Sequence, residues 1–291
     1  MDPFNQESLP VDSPSQSTDL FWPGIDFEPV PKFRRILPPV PQLSKDNTPM
    51  SIPAPYPVLS DAQLAELRKY NSPTISNAIE LFNFTPRHLG FLPHYIRCLL
   101  PDQGVMLGYA VTAQTRALPA SEGELAKGED ILGDYLRYVA AMPGPKVAVG
   151  EDLDITPGIG AQFGEVTALI HKKLGCVGHV TSGCPRDLDE VAPLGFHLFG
   201  LNPCVSHAYV RLVDFGKPVR IGGVEVRPGD LLHGDKHGVC IIPHEIADKV
   251  AAACARIEAI EKPALEMCRQ DNFDLEAYIQ VRKDMKKQAS E

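Results

Sequence analysis

The stretch that decides the fold covers residues 147–190 and reads VAVGEDLDITPGIGAQFGEVTALIHKKLGCVGHVTSGCPRDLDE. It begins with a short apolar run over 147–150, which is typical of a buried strand. A glycine-containing loop follows, then helical spacing of apolar residues over 165–174, and then a second apolar run over 176–181. Strand, loop, helix and strand in this order predict a βαβ unit. Its loop lies at the carboxyl end of a strand, where α/β proteins tend to bind ligands.

The rest of the chain adds strands and helices to this unit, and the pattern as a whole predicts an α/β fold. A Gly222-Gly223 turn between two short β-branched runs predicts a hairpin. Further strands are expected over 105–115, 196–201, 209–213 and 239–242, and helices over 60–67, 72–82, 131–141 and 246–260. The segment 116–130 is interpreted as a long acidic loop, and charged helix is expected after Pro263.

Composition divides the chain into three parts. Nearly half of the 28 prolines lie before Val58, and proline removes backbone donors and favours extended conformations. Residues 1–57 are therefore interpreted as a proline-rich, largely irregular extension, either a tail or a strap over another surface. A catalytic domain is expected over 58–262 and a helical extension over 263–291.

The charge and cysteine content exclude several classes of protein. The 28 basic against 37 acidic residues give a net charge of −9, which argues against nucleic-acid binding because that needs a basic face. Seven cysteines without a CxxC pair indicate reduced thiols. No apolar run approaches the roughly 20 residues of a membrane span, and the first basic residue is Lys32, so the start resembles neither a signal nor a transit peptide. We expect a cytoplasmic enzyme or binding protein that does not associate with membranes.

The glycine loop allows two interpretations. Gly158-x-Gly160-x-x-x-Gly164 suggests dinucleotide binding, but its spacing differs from G-x-G-x-x-G and no suitably placed acid follows. The alternative is that glycines let the backbone approach a small anion. Free N–H groups at the start of the next helix would then hold a carboxylate; these groups belong to Gly164, Glu165, Val166 and Thr167.

The motif Gly-Cys-Pro-Arg-Asp-Leu-Asp-Glu over 183–190 is expected to emerge beside that loop. Arg186 can form paired hydrogen bonds to a carboxylate or a developing oxyanion, and Asp187 can bind a hard divalent ion. The alternative is a solvated helix start, where acids are favoured. Cys184 lacks a local histidine partner and is interpreted as a small buried hydrophobe rather than a nucleophile.

A second polar cluster contains Asp230, His233, Asp235 and His237, and strand alternation would put three of these side chains on one side. This could be a metal site. Both aspartates, however, occupy ordinary turn positions, one after Pro-Gly and one opening a turn that ends in Gly238. A structural role is therefore favoured.

The spacing Glu165-x20-Arg186-Asp187-x2-Glu190 resembles the signature of the RraA-like family, which includes the 4-hydroxy-4-methyl-2-oxoglutarate aldolases. The resemblance extends from about residue 60 to residue 260. It implies a compact layered β/β/α fold, assembly as a homotrimer or a dimer of trimers, and active sites near subunit interfaces. It also implies a lyase that cleaves a carbon–carbon bond of a 2-oxo acid, by retro-aldol cleavage of a 4-hydroxy-2-oxo acid or by decarboxylation of an oxaloacetate-type substrate.

The same resemblance assigns roles to residues. Asp187 would be the ligand of Mg²⁺ or Mn²⁺, and Arg186 would contact the keto oxygen of the substrate. Backbone amides of residues 164–167 would bind the substrate, and Glu165 and Glu190 would orient metal-bound waters and transfer protons. Two alternatives stay open: a non-catalytic regulatory or binding protein on the same scaffold, and a specialised-metabolism enzyme with a larger substrate.

Overall fold

The computed structural model describes residues 56–290, which lie in one compact unit. The predicted extension over 1–57 therefore lies outside the described residues, except for Tyr56 and Pro57. Tyr56 is buried, its ring stacks on that of Tyr109 with centroids 4.8 Å apart, and its hydroxyl donates to the carbonyl oxygen of Pro143 at 3.1 Å. The side chain of Tyr56 thus packs into the core.

The described residues form both α-helices and strands. The helices are α1 (Asp61–Leu67), α2 (Ser72–Glu80), α3 (Glu122–Ala141), α4 (Glu165–Lys173), α5 (Leu188–Val191), α6 (Ala247–Cys268) and α7 (Leu275–Ser290). The strands are β1 (Arg97–Cys98), β2 (Met106–Arg116), β3 (Lys146–Asp152), β4 (Ala161–Phe163), β5 (Cys176–Thr181), β6 (Cys184–Pro185), β7 (His197–Gly200), β8 (Arg211–Phe215), β9 (Val219–Ile221), β10 (Val224–Val226), β11 (Leu231–Asp235) and β12 (Gly238–Ile242).

One mixed sheet organises these elements, in the order β1-β7-β5-β3-β2-β11-β12. Strands β2, β3, β5 and β7 are parallel to one another. The other edge of β2 is shared, because its first half pairs antiparallel with β11 and its second half with β8. The predicted βαβ unit is confirmed, since β3 and β5 are parallel neighbours connected through α4. The predicted hairpin is confirmed as β9 and β10.

A single segment, residues 90–98, closes this sheet almost into a barrel. At one end of the segment, Leu92 N–H donates to the carbonyl of Val239 in β12 at 2.9 Å, and Ile241 N–H donates to the carbonyl of Gly90 at 2.8 Å. At the other end, β1 pairs with β7 on the opposite edge. A buried apolar cluster joins this segment to the strands; it includes Leu92, Ile96, Met106, Val147, Val180, Phe199 and Leu232. The predicted α/β class is thereby confirmed.

Two helical boundaries differ from the sequence prediction. Helix α3 begins at Glu122, so the long loop predicted over 116–130 is wrong for most of its length. Ser121 and Glu124 form a capping box, in which each side chain accepts a hydrogen bond from the backbone N–H of the other residue. Helix α6 continues through Pro263, so the predicted boundary at 262/263 falls inside it. Proline has no N–H to donate to the carbonyl four residues earlier. Because Pro263 is exposed, that carbonyl can bond to water instead.

Candidate functional site

The site forms where two short parallel strands end side by side. Strand β4 leads into α4 through Gly164, and β6 leads into Arg186. The two strands pair with Phe163 opposite Pro185, and the backbone N–H of Arg186 donates to the carbonyl oxygen of Phe163 at 2.9 Å. The pairing therefore brings the glycine loop and the Arg-Asp motif together, as the sequence predicted.

Asp187 has a backbone conformation that few residues adopt. Its φ of 58° and ψ of 45° lie in the left-handed region, which Asp tolerates better than most side chains. This turn directs the carboxylate toward α4, where Oδ2 accepts the backbone N–H of Glu165 at 3.0 Å. The Nε atom of Arg186 lies 3.5 Å from the same oxygen. A guanidinium and a helix N-terminus thus both face the carboxylate.

The absence of a side chain at Gly164 makes this contact possible. Gly164 is extended, with φ −138°, so backbone strain is not the reason for glycine. A Cβ at this position would lie 2.2 Å from Oδ2 of Asp187 and 3.2 Å from Cγ of Arg186. The Asp187 side chain occupies the space that any other residue at position 164 would need.

The site is reachable from solvent and keeps donors and acceptors for a ligand. The side chains of Arg186 and Asp187 are 35% and 33% exposed. Within residues 56–290, Oδ1 of Asp187 accepts no hydrogen bond. The first N–H groups of an α-helix have no partner inside the helix, so those of Val166 and Thr167, which follow Glu165 in the first turn of α4, can bind a ligand. The positive end of the helix dipole favours an anion there.

The two glutamates assigned by the resemblance lie at the edge of this site. The side chains of Glu165 and Glu190 are exposed. In the described part of the chain, neither carboxylate forms an ion pair or hydrogen bond with Arg186 or Asp187. Glu165 contributes its backbone N–H to the site, and Glu190 lies on α5 just beyond Asp187. The structure therefore brings residues 164–167, Arg186 and Asp187 together and leaves the Glu190 side chain unattached.

Buried rings that sequence reasoning missed support the corner between β4 and α4. The ring of Phe163 stacks on that of His179, with centroids 3.8 Å apart, and contacts His171 at 4.8 Å. Within hydrogen-bonding distance of His171 lie the Tyr135 hydroxyl, 2.8 Å from Nε2, and the Thr167 carbonyl, 2.7 Å from Nδ1. Burial lowers the pKa of His171 to about 4 and that of His179 to about 3. Both rings are therefore neutral at pH 7 and form a packed base under the site.

The glycine loop is held by an aspartate that was also missed. Oδ2 of Asp152 accepts the N–H of Gly158 at 2.7 Å, and Oδ1 accepts that of Asp154 at 3.0 Å. Burial raises the pKa of Asp152 above its usual value. The Cys184 thiol donates to the carbonyl of Gly158 at 2.9 Å, and burial is the main cause that raises its pKa to about 12. These facts favour the interpretation of Cys184 as a small buried side chain, since a thiol of this pKa is a poor nucleophile.

The second polar cluster connects α2 to the sheet. Oδ2 of Asp235 accepts the backbone N–H of Ser72 at 2.9 Å, and the Ser72 hydroxyl lies 3.0 Å from Nδ1 of His233. The other oxygen of Asp235 accepts the backbone N–H of His237 at 2.8 Å. Asp230 accepts the N–H of Arg227 in a turn. These contacts are structural, as the sequence favoured.

Across residues 56–290 there is no group of three or more His, Cys, Asp or Glu side chains arranged to hold a metal ion. Asp187 offers one carboxylate oxygen, Oδ1, that accepts no hydrogen bond from residues 56–290, while Oδ2 faces the N-terminus of α4. Mg²⁺ in proteins is often held by one or two carboxylates and several waters, and this donor set suits such an ion.

The fold and site define a class of protein: an α/β protein with a nearly closed sheet and an Arg-Asp turn beside a glycine-capped helix. The sequence model of the family described as RraA-like, Aldolase/RraA, matches residues 58–241, more than half of the chain. The chain belongs to this family. The resemblance found in the sequence is thereby confirmed.

Curated relatives are similar to parts of the chain. A Halalkalibacterium halodurans protein named "Putative 4-hydroxy-4-methyl-2-oxoglutarate aldolase" is 28% identical over 164 residues, which are 56% of this chain and 76% of the relative. An Azotobacter vinelandii protein of the same name is 32% identical over 88 residues, 30% of this chain and 54% of the relative. The chain thus spans about three quarters of one relative and about half of the other.

Solved structures show the same fold. An uncharacterized protein from Pseudomonas syringae pv. tomato superposes with a TM-score of 0.62 at 22% identity, covering 81% of this chain and 99% of its own. A Streptomyces coelicolor protein, titled an unusual member of the RNase ES inhibitor RraA protein family, gives a TM-score of 0.56 at 22% identity and covers 72% of this chain and 98% of its own. In the described residues, every helix is too short or too polar to cross a membrane.

Proposed function

We propose that this protein is a divalent-metal-dependent carbon–carbon lyase that acts on a small 2-oxo acid in the cytoplasm. The observation that carries the proposal is the position of Arg186 and Asp187, whose charged groups lie 3.5 Å apart at the N-terminus of α4. Family membership and the names of the relatives support the same class of reaction. Both retro-aldol cleavage and oxaloacetate-type decarboxylation leave an electron pair on the carbon next to the keto group, so one site can serve both.

Asp187 is the residue that would hold Mg²⁺ or Mn²⁺, with waters as the other ligands. One of its oxygens is engaged by Glu165 N–H and Arg186, and the other accepts no bond from residues 56–290. The bound cation would stabilise the negative charge that develops on the keto oxygen when the bond breaks.

Arg186 and the first turn of α4 would bind and orient the substrate. The guanidinium is fixed beside Asp187 and can donate to the keto oxygen, and removal of one such donor typically lowers the rate about 10²–10³-fold. The N–H groups of Val166 and Thr167 would hold the substrate carboxylate, helped by the helix dipole. Together they would keep the scissile bond at a constant distance from Asp187.

Glu165 and Glu190 are the carboxylates available for proton transfer. Both are exposed at the mouth of the site, and an acid or base can act through one intervening water. We assign them the removal of a proton from the leaving hydroxyl and the return of a proton to the carbon.

The outer face of α4 supports assembly of several copies. Val166 is 79% exposed, and Leu169 and Ile170 on the same face are each 39% exposed. Exposed apolar residues that cluster beside a polar site are typical of a protein–protein interface. We propose that a second copy covers this face in a homotrimer or a dimer of trimers.

The test is the release of pyruvate from oxaloacetate and from 4-hydroxy-4-methyl-2-oxoglutarate, measured with Mg²⁺, with Mn²⁺ and with EDTA. We expect turnover that EDTA abolishes and that Asp187→Ala lowers by at least about 10²-fold. The matched control is Asp134→Ala, which removes an exposed carboxylate on α3 that forms an ion pair with Arg137, and we expect it to leave the rate unchanged.

Three results would contradict the proposal. Turnover that survives EDTA would show that the reaction needs no divalent metal. Equal rates for Asp187→Ala and Asp134→Ala would show that Asp187 has no part in the reaction. No turnover of any small 2-oxo acid by folded protein would favour the other two interpretations, a regulatory protein on this scaffold or an enzyme with a larger substrate.

A further inference from the structure

A groove lies between three helices on a part of the molecule that the Arg186–Asp187 site does not use. Its walls are the end of α2 together with Arg87, the middle of α6, and α7. Its volume is about 690 Å³, within the range of about 300–1,000 Å³ that is typical of small-molecule sites. The family model ends at residue 241, so two of the three walls belong to helices that the family model does not include.

Apolar side chains form one surface of this groove. They are Leu81, Ile257, Ile260, Ile279 and Met285. Ile257 is 9% exposed and belongs to a buried apolar cluster, whereas Ile279 on α7 is 37% exposed. Apolar surface is therefore open to water along the groove, and an apolar ligand that covered it would be bound by the hydrophobic effect.

The charged side chains of this groove are mostly basic. Four basic and two acidic residues line it, namely Arg87, Arg282, Lys283, Lys286, Glu80 and Glu261. The groove is thus locally positive in a chain whose net charge is −9. Arg87 is already paired, with its Nε atom 3.2 Å from Oε2 of Glu80. Across residues 56–290, by contrast, no ion pair or hydrogen bond engages the side chains of Arg282, Lys283 or Lys286. Unpaired cations beside apolar surface favour a ligand that carries an anionic group.

We propose that this groove is a binding site for a long-chain carboxylate, an amphiphile with one apolar tail and one anionic head. The tail would lie against the apolar surface between α6 and α7. The carboxylate would bind to Arg282 and Lys286, which lie one turn apart on α7. A guanidinium can donate two parallel hydrogen bonds to a carboxylate, and the lysine ammonium adds a second positive charge. This site is independent of the proposed lyase activity.

Isothermal titration calorimetry of the full chain with hexanoate, octanoate and decanoate tests the site. We expect one saturable site per chain, with an affinity that rises by up to about fourfold for each methylene added to the tail. The double variant Arg282→Glu with Lys286→Glu should bind decanoate at least about tenfold more weakly, because two attractive charges become repulsive. Both side chains are exposed, so the variant should stay folded, which circular dichroism checks.

The matched control is Lys127→Glu with Lys249→Glu. Both lysines are exposed and lie outside the groove, and the change in the net charge of the chain is the same. We expect this control to bind decanoate as the parent protein does. Decyltrimethylammonium, whose tail is equally long but whose head is cationic, should bind the parent protein at least about tenfold more weakly than decanoate.

Three results would overturn the proposal. Equal affinity for decanoate and decyltrimethylammonium would show that apolar surface alone binds the tail. Equal losses in the two double variants would show that the net charge of the chain, and not this groove, controls binding. Folded protein without a saturable site would exclude a carboxylate ligand. If Arg282→Glu with Lys286→Glu then also had a lower mass than the parent protein in light scattering, the occupant of the groove would be a second copy of this chain.

Discussion

Oδ2 of Asp187 lies 2.2 Å from the point where a Cβ would stand on Gly164. One helix and two strands separate these residues along the chain, yet each one determines the position of the other. Asp187 adopts the left-handed conformation that sends its carboxylate to α4, and Gly164 leaves the space in which that carboxylate meets the Glu165 N–H. Substitutions at either position therefore test whether activity requires the Asp187 carboxylate to lie at the N-terminus of α4.

At position 164, we expect Gly164→Ala to lower lyase activity about 10²-fold, because the new methyl group displaces the Asp187 carboxylate. Overpacking of this kind typically costs about 1–3 kcal/mol of stability, so the variant remains folded. Steady-state kinetics with Mn²⁺ and urea unfolding measure the two effects.

The control for that variant is Gly123→Ala. Gly123 lies in α3, where an added Cβ meets nothing within 4 Å. Replacing a helical glycine with alanine stabilises a helix by up to about 1 kcal/mol, so activity stays constant and stability rises slightly. Equal activity in the two glycine variants would contradict the assigned site.

At position 187, the substitutions Asp187→Asn and Asp187→Ala separate the role of the negative charge in metal binding from the role of the side chain in folding. Asparagine tolerates the left-handed region and its amide oxygen can still accept the Glu165 N–H, so we expect near-normal stability. Alanine in this conformation costs about 1–2 kcal/mol and leaves that N–H without its partner. Both variants should lose Mn²⁺ binding, which electron paramagnetic resonance of the free ion measures. Tight Mn²⁺ binding by Asp187→Asn would show that the Asp187 carboxylate is not the metal ligand.

Local pattern was enough to predict the core of this site. The apolar runs and the helical spacing between them predicted β3, α4 and β5, and parallel pairing of adjacent strands places their loops at one edge. The adjacency of Arg186 and Asp187 to the glycine loop followed from this topology. The conformation of Asp187 could not be predicted, because a φ of 58° is decided by the contact with Gly164 and not by local preference.

Closure of the sheet could not be predicted from the local sequence pattern, because it depends on contacts between distant parts of the chain. The bridge between Phe91 and Cys240 joins residues far apart in the chain, and the segment around Phe91 shows no strand alternation. The start of α3 had a local signal, the capping box at Ser121 and Glu124. Two nearby glycines, Gly123 and Gly128, lower helix propensity and obscured it. The buried base of His171 and His179 had no sequence signal that separates it from surface histidines.

Four buried histidines make stability depend on pH. Burial lowers the pKa of His171, His197 and His233 to about 4 and that of His179 to about 3, against about 6.5 in an unfolded chain. Between pH 6.5 and 4 the unfolded state binds more protons than the folded state, so stability falls as the pH falls. Each fully titrating site contributes about 1.4 kcal/mol per pH unit.

Urea unfolding at pH 7, 6 and 5 measures this dependence. We expect His171→Gln to make the change in the free energy of unfolding with pH shallower than in the parent protein. A matched control, Leu89→Gln, changes an exposed side chain that does not titrate and should leave the slope unchanged. Stability that does not vary over this range would mean that these rings are protonated in the folded protein or reach water.

The outer face of α4 gives the last prediction, which concerns assembly. If a second copy covers Leu169 and Ile170, the charge in Ile170→Asp will be buried in the interface without a partner. This costs several kcal/mol of the free energy of association, which is enough to prevent assembly. We expect this variant to run as a monomer in size-exclusion chromatography with light scattering.

Leu275→Asp makes the same change at an exposed position on α7 and should keep the parent's assembly state. Because Ile170 lies one turn beyond the helix residues that face Asp187, a site completed by the neighbouring subunit would lose activity in parallel with the loss of assembly. A monomeric Ile170→Asp that keeps full turnover would show that each chain carries a complete site. A multimeric Ile170→Asp would place the interface elsewhere on the surface.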